Sequence, residues 1–317
     1  GYGSIGIKHY KTIQKINKNI KVLSIRIKNQ KKILNKNIKS VNIKDISKFS
    51  FDCVFICTPS TNHLEIAKIF IKKNIPTFIE KPVTDDIKKL IKFKDLFLYA
   101  NNNKIIINIG YVLKHSNSYK KFKEILFNNS FGKIISVTSN CNSNLLNWRK
   151  SFLQSSVSTN KKLGGGVLNE LSHEIDYIND LFGDIISVYA NINKIKKFNI
   201  NCEEYADIIM INKNKIPIKL HLDFNSFFSK RFCEVKFEKG VIIWEIKKNK
   251  ITIINNKNNK KTYINKSDMY KNQIKYFFDL IKNKKLDTKN LNNSFEVIKI
   301  INLIKKSDTK RIELRNI

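Results

Sequence analysis

The sequence predicts an α/β protein in two parts: a doubly wound parallel sheet over residues 1–115, then an α+β part over 116–317 built on a large, mostly antiparallel sheet. Three observations predict it. Apolar strand-like runs alternate with amphipathic helical stretches through the first half of the 317 residues, which is the grammar of βαβ units. From about residue 185 six short alternating runs follow one another with only brief turns, the pattern of an antiparallel sheet. Between these regions an irregular stretch rich in Ser and Asn ends in three consecutive glycines, Gly164 to Gly166.

In order, the first part carries strand-like runs at 21–27, 52–58, 76–79 and 104–109, with apolar residues at helical spacing over 63–73 and 85–99. A helix over 117–127 leads into a long strand over 133–140. One helix, 170–182, follows the glycines. The alternating runs are 185–192, 205–211, 216–224, 231–237, 241–246 and 250–254. Two helices, 268–282 and 294–305, close the chain, and the Asn/Lys tracts 255–261 and 282–293 read as solvated loops.

A formal net charge of +34 would suit a nucleic-acid or membrane-surface partner. Its distribution argues against both. Nearly all of it is Lys, dispersed with Asn and Ile along every segment as an AT-rich coding sequence would produce, whereas recognition surfaces favour Arg forks and clusters. An apolar fraction of 42% excludes the disordered class. Cys53, Cys57, Cys141, Cys202 and Cys233 stand singly, with no CxxC pair and no His at zinc-finger spacing. Neither a disulfide framework nor a metal site is read from them, and a reducing, cytoplasmic compartment fits. No apolar stretch approaches the roughly 18 residues of a membrane span, and no signal peptide is visible.

The chain opens with Gly1-Tyr2-Gly3-Ser4-Ile5-Gly6 directly before a helical stretch. A GxGxxG there permits a tight turn and brings N–H groups at a helix N-terminus against a pyrophosphate, the device of Rossmann dinucleotide-binding sheets. The strand that should precede it is missing from the sequence, so the expectation is an N-terminally incomplete Rossmann sheet. About 20 positions after Gly6, where an NAD-type fingerprint carries an acid for the ribose hydroxyls, stands Arg26. Two readings stay open: Arg26 meets a 2′-phosphate and turns preference towards NADP, or it is a solvent-facing residue at a strand end. The cofactor read from Gly1, Gly3, Ser4, Ile5, Gly6 and Arg26 is NAD or NADP.

Three further segments are informative: Cys57-Thr58-Pro59-Ser60-Thr61-Asn62-His63 after a strand, Glu80-Lys81-Pro82 after the next, and Gly164-Gly165-Gly166-Val167-Leu168-Asn169-Glu170-Leu171-Ser172-His173-Glu174-Ile175-Asp176, followed by Leu181-Phe182-Gly183. Together they resemble the TPxxxH, EKP and GGGxL…H.ID…LFG motifs of the Gfo/Idh/MocA oxidoreductases, and the resemblance spans essentially the whole chain. It implies that Thr58, Pro59, Asn62, His63, Glu80 and Lys81 border the cofactor. Lys81 would lie beside the carbon that exchanges hydride, where a positioned cation holds the substrate hydroxyl and stabilises alkoxide charge. His173 would be the acid/base that exchanges a proton with that hydroxyl.

Many relatives carry an Asp four residues before that His. This chain has Asn169 there, read as a substrate contact, and Glu170 three residues before, read as the carboxylate that orients His173 on one helical face. Asp176 is read as facing the interior or a neighbouring subunit. Lys114 and His115 follow Gly110-Tyr111 at a place where relatives contact substrate. Trp148-Arg149 resembles the WR of a subgroup encoded with surface-polysaccharide or nucleotide-sugar pathways, Arg149 gripping a phosphate or carboxylate. The resemblance implies a hydride-transferring enzyme acting on a sugar, nucleotide sugar or polyol, and a homo-oligomer formed through the C-terminal sheet. Two alternatives stay open: an NAD-dependent oxidation–elimination enzyme of lyase or glycosidase type, and a cofactor-binding protein without catalysis.

Overall fold

A computed structural model describes residues 1–26, 38–128, 130–148, 156–195, 200–257, 259–310, 312 and 314–315. The glycine turn runs straight into α1 (Ser4–Ile16), whose buried residues Gly6, His9, Thr12 and Ile13 recur at helical spacing. β1 (Ser24–Arg26) and β2 (Ser40–Asn42) pair in parallel. Then come β3 (Val54–Ile56), α2 (His63–Ile71), β4 (Thr77–Ile79), α3 (Ile87–Lys92), α4 (Lys94–Asn102) and β5 (Ile107–Ile109). Their strands form a second parallel group in the order β3-β4-β5. β4 and β5 are buried along their whole length, as strands covered on both faces are. A cavity of about 900 Å³ opens between the two parallel groups, lined among others by Ile25, Val54, Ile56, His9 and Ile13.

α5 (Asn117–Phe127), capped by Ser116, whose hydroxyl accepts from the Tyr119 N–H at 3.1 Å, leads to the second sheet. Its strands are β6 (Ile134–Asn142), β7 (Ile185–Asn193), β8 (Tyr205–Asn212), β9 (Pro217–Asp223), β10 (Arg231–Phe237), β11 (Gly240–Glu245), β12 (Lys250–Asn255), β13 (Lys260–Ile264) and β14 (Leu314–Arg315). They lie in the order β13-β12-β11-β10-β6-β9-β8-β7-β14, antiparallel except for the β6–β9 pair. Between β6 and β7 the chain forms α6 (Leu145–Trp148), α7 (Val167–Glu170) and α8 (His173–Phe182), and after β13 it forms α9 (Met269–Lys282) and α10 (Thr288–Lys310).

Trp244 of β11 lies in the main core, fully buried against the rings of Phe122, Tyr177 and Tyr119 at 5.3, 5.4 and 5.6 Å. Its indole N–H donates to the Ser118 hydroxyl at 3.2 Å, so the burial leaves no orphan donor. The last two helices return to the first sheet. Phe277 and Leu280 of α9 pack on Phe78 and Ile106. Asn290 of α10 accepts the Ile109 N–H at 2.7 Å and donates to the Ile109 carbonyl at 3.1 Å, which closes the edge of β5 with a side chain instead of another strand.

Several expectations change here. The tract 255–261 is not all loop, because β13 begins at Lys260; as an exposed edge strand it has no apolar alternation and is defined only by its register with β12. α10 starts at Thr288, inside the tract expected to be solvated, because Asn290 and Asn293 are buried polar residues that satisfy partners elsewhere in the fold. The helix expected over 170–182 is two, α7 and α8, separated by Leu171 and Ser172. β2 has no counterpart in the sequence reading. No helix among the described residues is long and apolar enough to cross a membrane, and none of their His, Cys, Asp and Glu groups is arranged to hold a metal ion.

Candidate active site

Gly3 caps α1 without a side-chain hydrogen bond, so the first helical amides have no partner within the helix. A Cβ on Gly6 would strike the Gly1 carbonyl, whereas one on Gly3 would stand in open space. The turn can therefore close on one side and receive a phosphate group on the other. Thr58 follows β3, lies against Gly1, and has a buried hydroxyl with no hydrogen-bond partner. These features fit a dinucleotide at the carboxyl ends of the parallel strands, where Gly1, Gly3, Ser4, Ile5 and Thr58 would hold it. Arg26 ends β1, in register with Asn42 of β2.

Pro59 precedes a single 3₁₀ turn, Ser60–Asn62, that feeds α2. His63, the first residue of α2, is 1% exposed. Its Nδ1 lies 2.8 Å from the Pro82 carbonyl and its Nε2 2.9 Å from the Thr58 carbonyl. Burial, only partly offset by the two carbonyls, holds its pKa below the ordinary histidine value. A neutral imidazole has one N–H, so one ring nitrogen donates to a carbonyl and the other packs against the second; the ring is enclosed by main chain rather than exposed as the resemblance implied. It braces the loop after β3 to the loop after β4. His63→Ala removes the ring's hydrogen bond and leaves a cavity, and is expected to lower the unfolding free energy by about 3 kcal/mol. A urea titration reads this directly, and a loss below about 1 kcal/mol would contradict the bracing role.

Glu80 also departs from expectation. Its carboxylate turns inward, with Oε1 2.5 Å from His9 Nε2 and Oε2 accepting the Lys81 N–H at 3.3 Å. Lys81 points the other way, and its Nζ donates to the main-chain carbonyl of Glu170 at 2.7 Å.

The triple glycine explains how Glu170 reaches that position. Gly164 and Gly166 have φ of +82° and +117°, and a side chain on either would collide, with the Ser60 hydroxyl and the Glu203 carboxylate respectively. The glycine loop thus lies directly on the turn that follows Pro59, and α7 is delivered to Lys81. Because the helix breaks between α7 and α8, Glu170 and His173 share no continuous helical face. The Glu170 carboxylate makes no hydrogen bond to His173, whose Nδ1 is buried without a partner. The residue contributes its carbonyl to Lys81 rather than a carboxylate to His173. Asn169 donates to the Gly164 carbonyl at 3.0 Å and keeps a buried Oδ1 without a partner.

His173 stands edge-on to Tyr111, ring centroids 5.6 Å apart. Burial, then the positive charges of Lys81, Arg231 and Lys114, hold its pKa well below the ordinary histidine value. It is a neutral imidazole at neutral pH.

Two buried ion pairs frame this helix. Glu174, fully buried beside His173, accepts two hydrogen bonds from Arg231, at 2.6 and 3.1 Å. Asp176 does face the interior, where it accepts from Lys114 at 2.9 Å and from Asn293 at 2.6 Å; burial pushes its pKa up to about 6 against the pull of Lys114. Lys114 is thus engaged within the fold. Burial, with Lys114 and Lys120, pushes His115 down to about 3, and its ring lies 5.1 Å from that of Tyr276. Sequence reasoning missed His9, Glu174 and Arg231. For His9 and Arg231 the one available signal was rarity, since His and Arg are few in a chain whose positive charge is nearly all Lys, and Glu174 carried none. Trp148 ends α6, and its side chain and Arg149 lie outside the described residues. His221 pairs with Asp207 at 2.6 Å across β8 and β9, beside exposed Lys219 on the face turned away from the core.

Fold and site together define a class of protein: a glycine turn and strand ends that fit a dinucleotide, with a lysine after β4 bonded to the turn that precedes a histidine of the following α/β part. Residues 1–110 match the oxidoreductase family with NAD-binding Rossmann fold, and residues 119–243 match the Gfo/Idh/MocA C-terminal domain. The chain belongs to the Gfo/Idh/MocA oxidoreductase family. A curated relative, Oxidoreductase P35 of Formosa agariphila, is 24% identical over 217 residues, covering 65% of this chain and 63% of that protein's length. Among solved structures, levoglucosan dehydrogenase in complex with NADH and levoglucosan superposes with a TM-score of 0.84 at 14% identity, over 99% of this chain and 97% of that one. Myo-inositol 2-dehydrogenase from Lactobacillus plantarum gives 0.82 at 18% identity, with the same coverage of 99% and 97%. An oxidoreductase domain protein from Kribbella flavida gives 0.86 at 12% identity, again over 99% and 97%. At these identities the structural likeness establishes the fold.

Proposed function

We propose that this protein is an NAD(P)-dependent dehydrogenase or reductase acting on a hydroxyl or keto carbon of a sugar, nucleotide sugar or polyol. The observation that carries the reading is the 2.7 Å bond from Lys81 Nζ to the Glu170 carbonyl, which joins the end of β4 to the turn before His173. A bound nicotinamide supplies the hydride acceptor or donor. Lys81 holds the substrate oxygen and stabilises it as alkoxide character develops. His173, neutral in the resting site, takes the hydroxyl proton during oxidation and returns it during reduction. A carbinol thereby loses one hydride from carbon and one proton from oxygen and becomes a carbonyl.

The sugar and polyol dehydrogenases among the similar folds support the substrate class, and Trp148-Arg149 supports a phosphate-bearing member of it, as in surface-polysaccharide or nucleotide-sugar pathways. A panel of nucleotide sugars, free sugars and polyols, followed by the absorbance of reduced nicotinamide, tests it. Net reduction of cofactor is expected. Substrate consumption without net reduction would replace this reading with oxidation–elimination. Arg26 at the end of β1 favours a 2′-phosphate, so the KM for NADP is expected to be about tenfold below that for NAD. A strong preference for NAD would remove that assignment.

A further inference from the structure

We propose that His9 and Glu80 form a positioning pair that ties the phosphate-cradling helix to the placement of Lys81. The inference rests on the reading of Lys81 as the group that faces substrate. α1 begins at Ser4, within the cradle, and His9 lies one turn further on its buried side, 2% exposed. Its ring is boxed by Phe78, Phe55 and Tyr270 at 5.3, 5.4 and 6.0 Å, an apolar enclosure in which an unpaired carboxylate would be strongly disfavoured. Glu80 nevertheless turns into this enclosure. His9 Nε2 meets its Oε1 at 2.5 Å, while His9 Nδ1 is buried with no partner, so the carboxylate is the polar tie of that ring.

The other oxygen of Glu80 takes the Lys81 N–H at 3.3 Å, and the carboxylate lies against Gly110, where a Cβ would come within 3.2 Å of its carboxyl carbon, so the glycine leaves it its place. Contacts therefore run without a gap from α1 through His9 and Glu80 to the Lys81 backbone, and from Lys81 Nζ to the Glu170 carbonyl. Outside the ring enclosure the Lys8 ammonium sits 3.6 Å over the Tyr270 ring and clamps α9 onto α1. A histidine present only for packing would need no acceptor. The bond to Glu80 makes His9 a positioning residue for Lys81.

Two substitutions separate the bond from the packing. His9→Leu fills the aromatic box and removes the donor, whereas His9→Gln places an N–H where Nε2 stood. The freedom of Lys81 can be read without any substrate, as the rate at which the N-hydroxysuccinimide ester of acetic acid acylates it, measured on the Lys81 peptide by mass spectrometry against an exposed lysine such as Lys18. Acylation is expected to be roughly tenfold faster in His9→Leu than in the wild type, the scale of one lost hydrogen bond to a charged group, and within twofold of the wild type in His9→Gln. Equal rates in all three proteins would overturn the pair. So would equally fast rates in both variants, which would reduce His9 to packing. If His9→Leu does not fold, Glu80→Met, which keeps the length of the side chain and removes both acceptor oxygens, is expected to accelerate acylation in the same way, and an unchanged rate there overturns the pair. A parallel titration of NADH fluorescence separates the two levels of inference. Absence of binding by the wild type ends the cofactor reading and the proposal with it, whereas binding with an unresponsive Lys81 ends the pair alone.

Discussion

Lys81→Ala is expected to lower turnover roughly 10²- to 10³-fold, about 2.7–4 kcal/mol of transition-state stabilisation, with a much smaller change in KM. An ammonium has three donors, and Lys81 Nζ uses one on the Glu170 carbonyl, so two remain for a substrate oxygen. That single anchor gives the group a direction, which a free surface lysine lacks. The side chain bridges two loops outside either core, so circular dichroism and the thermal midpoint are expected to change little. Turnover within about threefold of the wild type in a folded Lys81→Ala protein would remove this residue from the chemistry.

His173→Asn is expected to cost about 10²-fold or more in turnover, and the wild-type pH profile carries the sharper test. Burial and three neighbouring positive charges hold the folded pKa of His173 well below its ordinary value near 6.5, so its proton-accepting form persists as pH falls through that value. In the oxidation direction kcat/KM should stay level through pH 6.5 and decline only at lower pH; a decline centred at or above 6.5 would contradict the assignment. Stability follows with the same sign. The folded value lies below the unfolded one, so the contribution of neutral His173 is complete above about pH 6.5 and is lost as pH falls below it towards the folded value. Between pH 6.5 and 5 the wild type is therefore expected to lose more thermal stability than His173→Asn.

How much of this was legible in advance depended on the range of the interactions. α5 was readable because Ser116 caps it and its apolar spacing is local. The strands β7 to β11 were readable because one face is buried and the other wet, which writes alternation into the sequence. β13 was not, since an exposed edge strand has no buried face to record. The start of α10 was not, because Asn290 and Asn293 look solvated yet are buried to satisfy β5 and Asp176. In the site, motif spacing singled out Lys81 and His173, but it could not assign directions to Glu80, His63 or Glu170. Each has a partner distant in the sequence: His9, the Pro82 carbonyl and Lys81 Nζ respectively.

By itself the sequence determined the two-part α/β plan, the glycine cradle, and the segments from which a lysine and a histidine come, because periodicity, turn chemistry and short motifs act within a few residues. Only the tertiary structure decided that Glu80 faces inward, that His63 is a brace, and that Glu170 serves through its carbonyl across 89 positions of chain. The reason is that a buried polar group takes whichever partner the packing brings within about 3 Å, and that partner is set by how distant segments meet, not by what surrounds the residue along the chain.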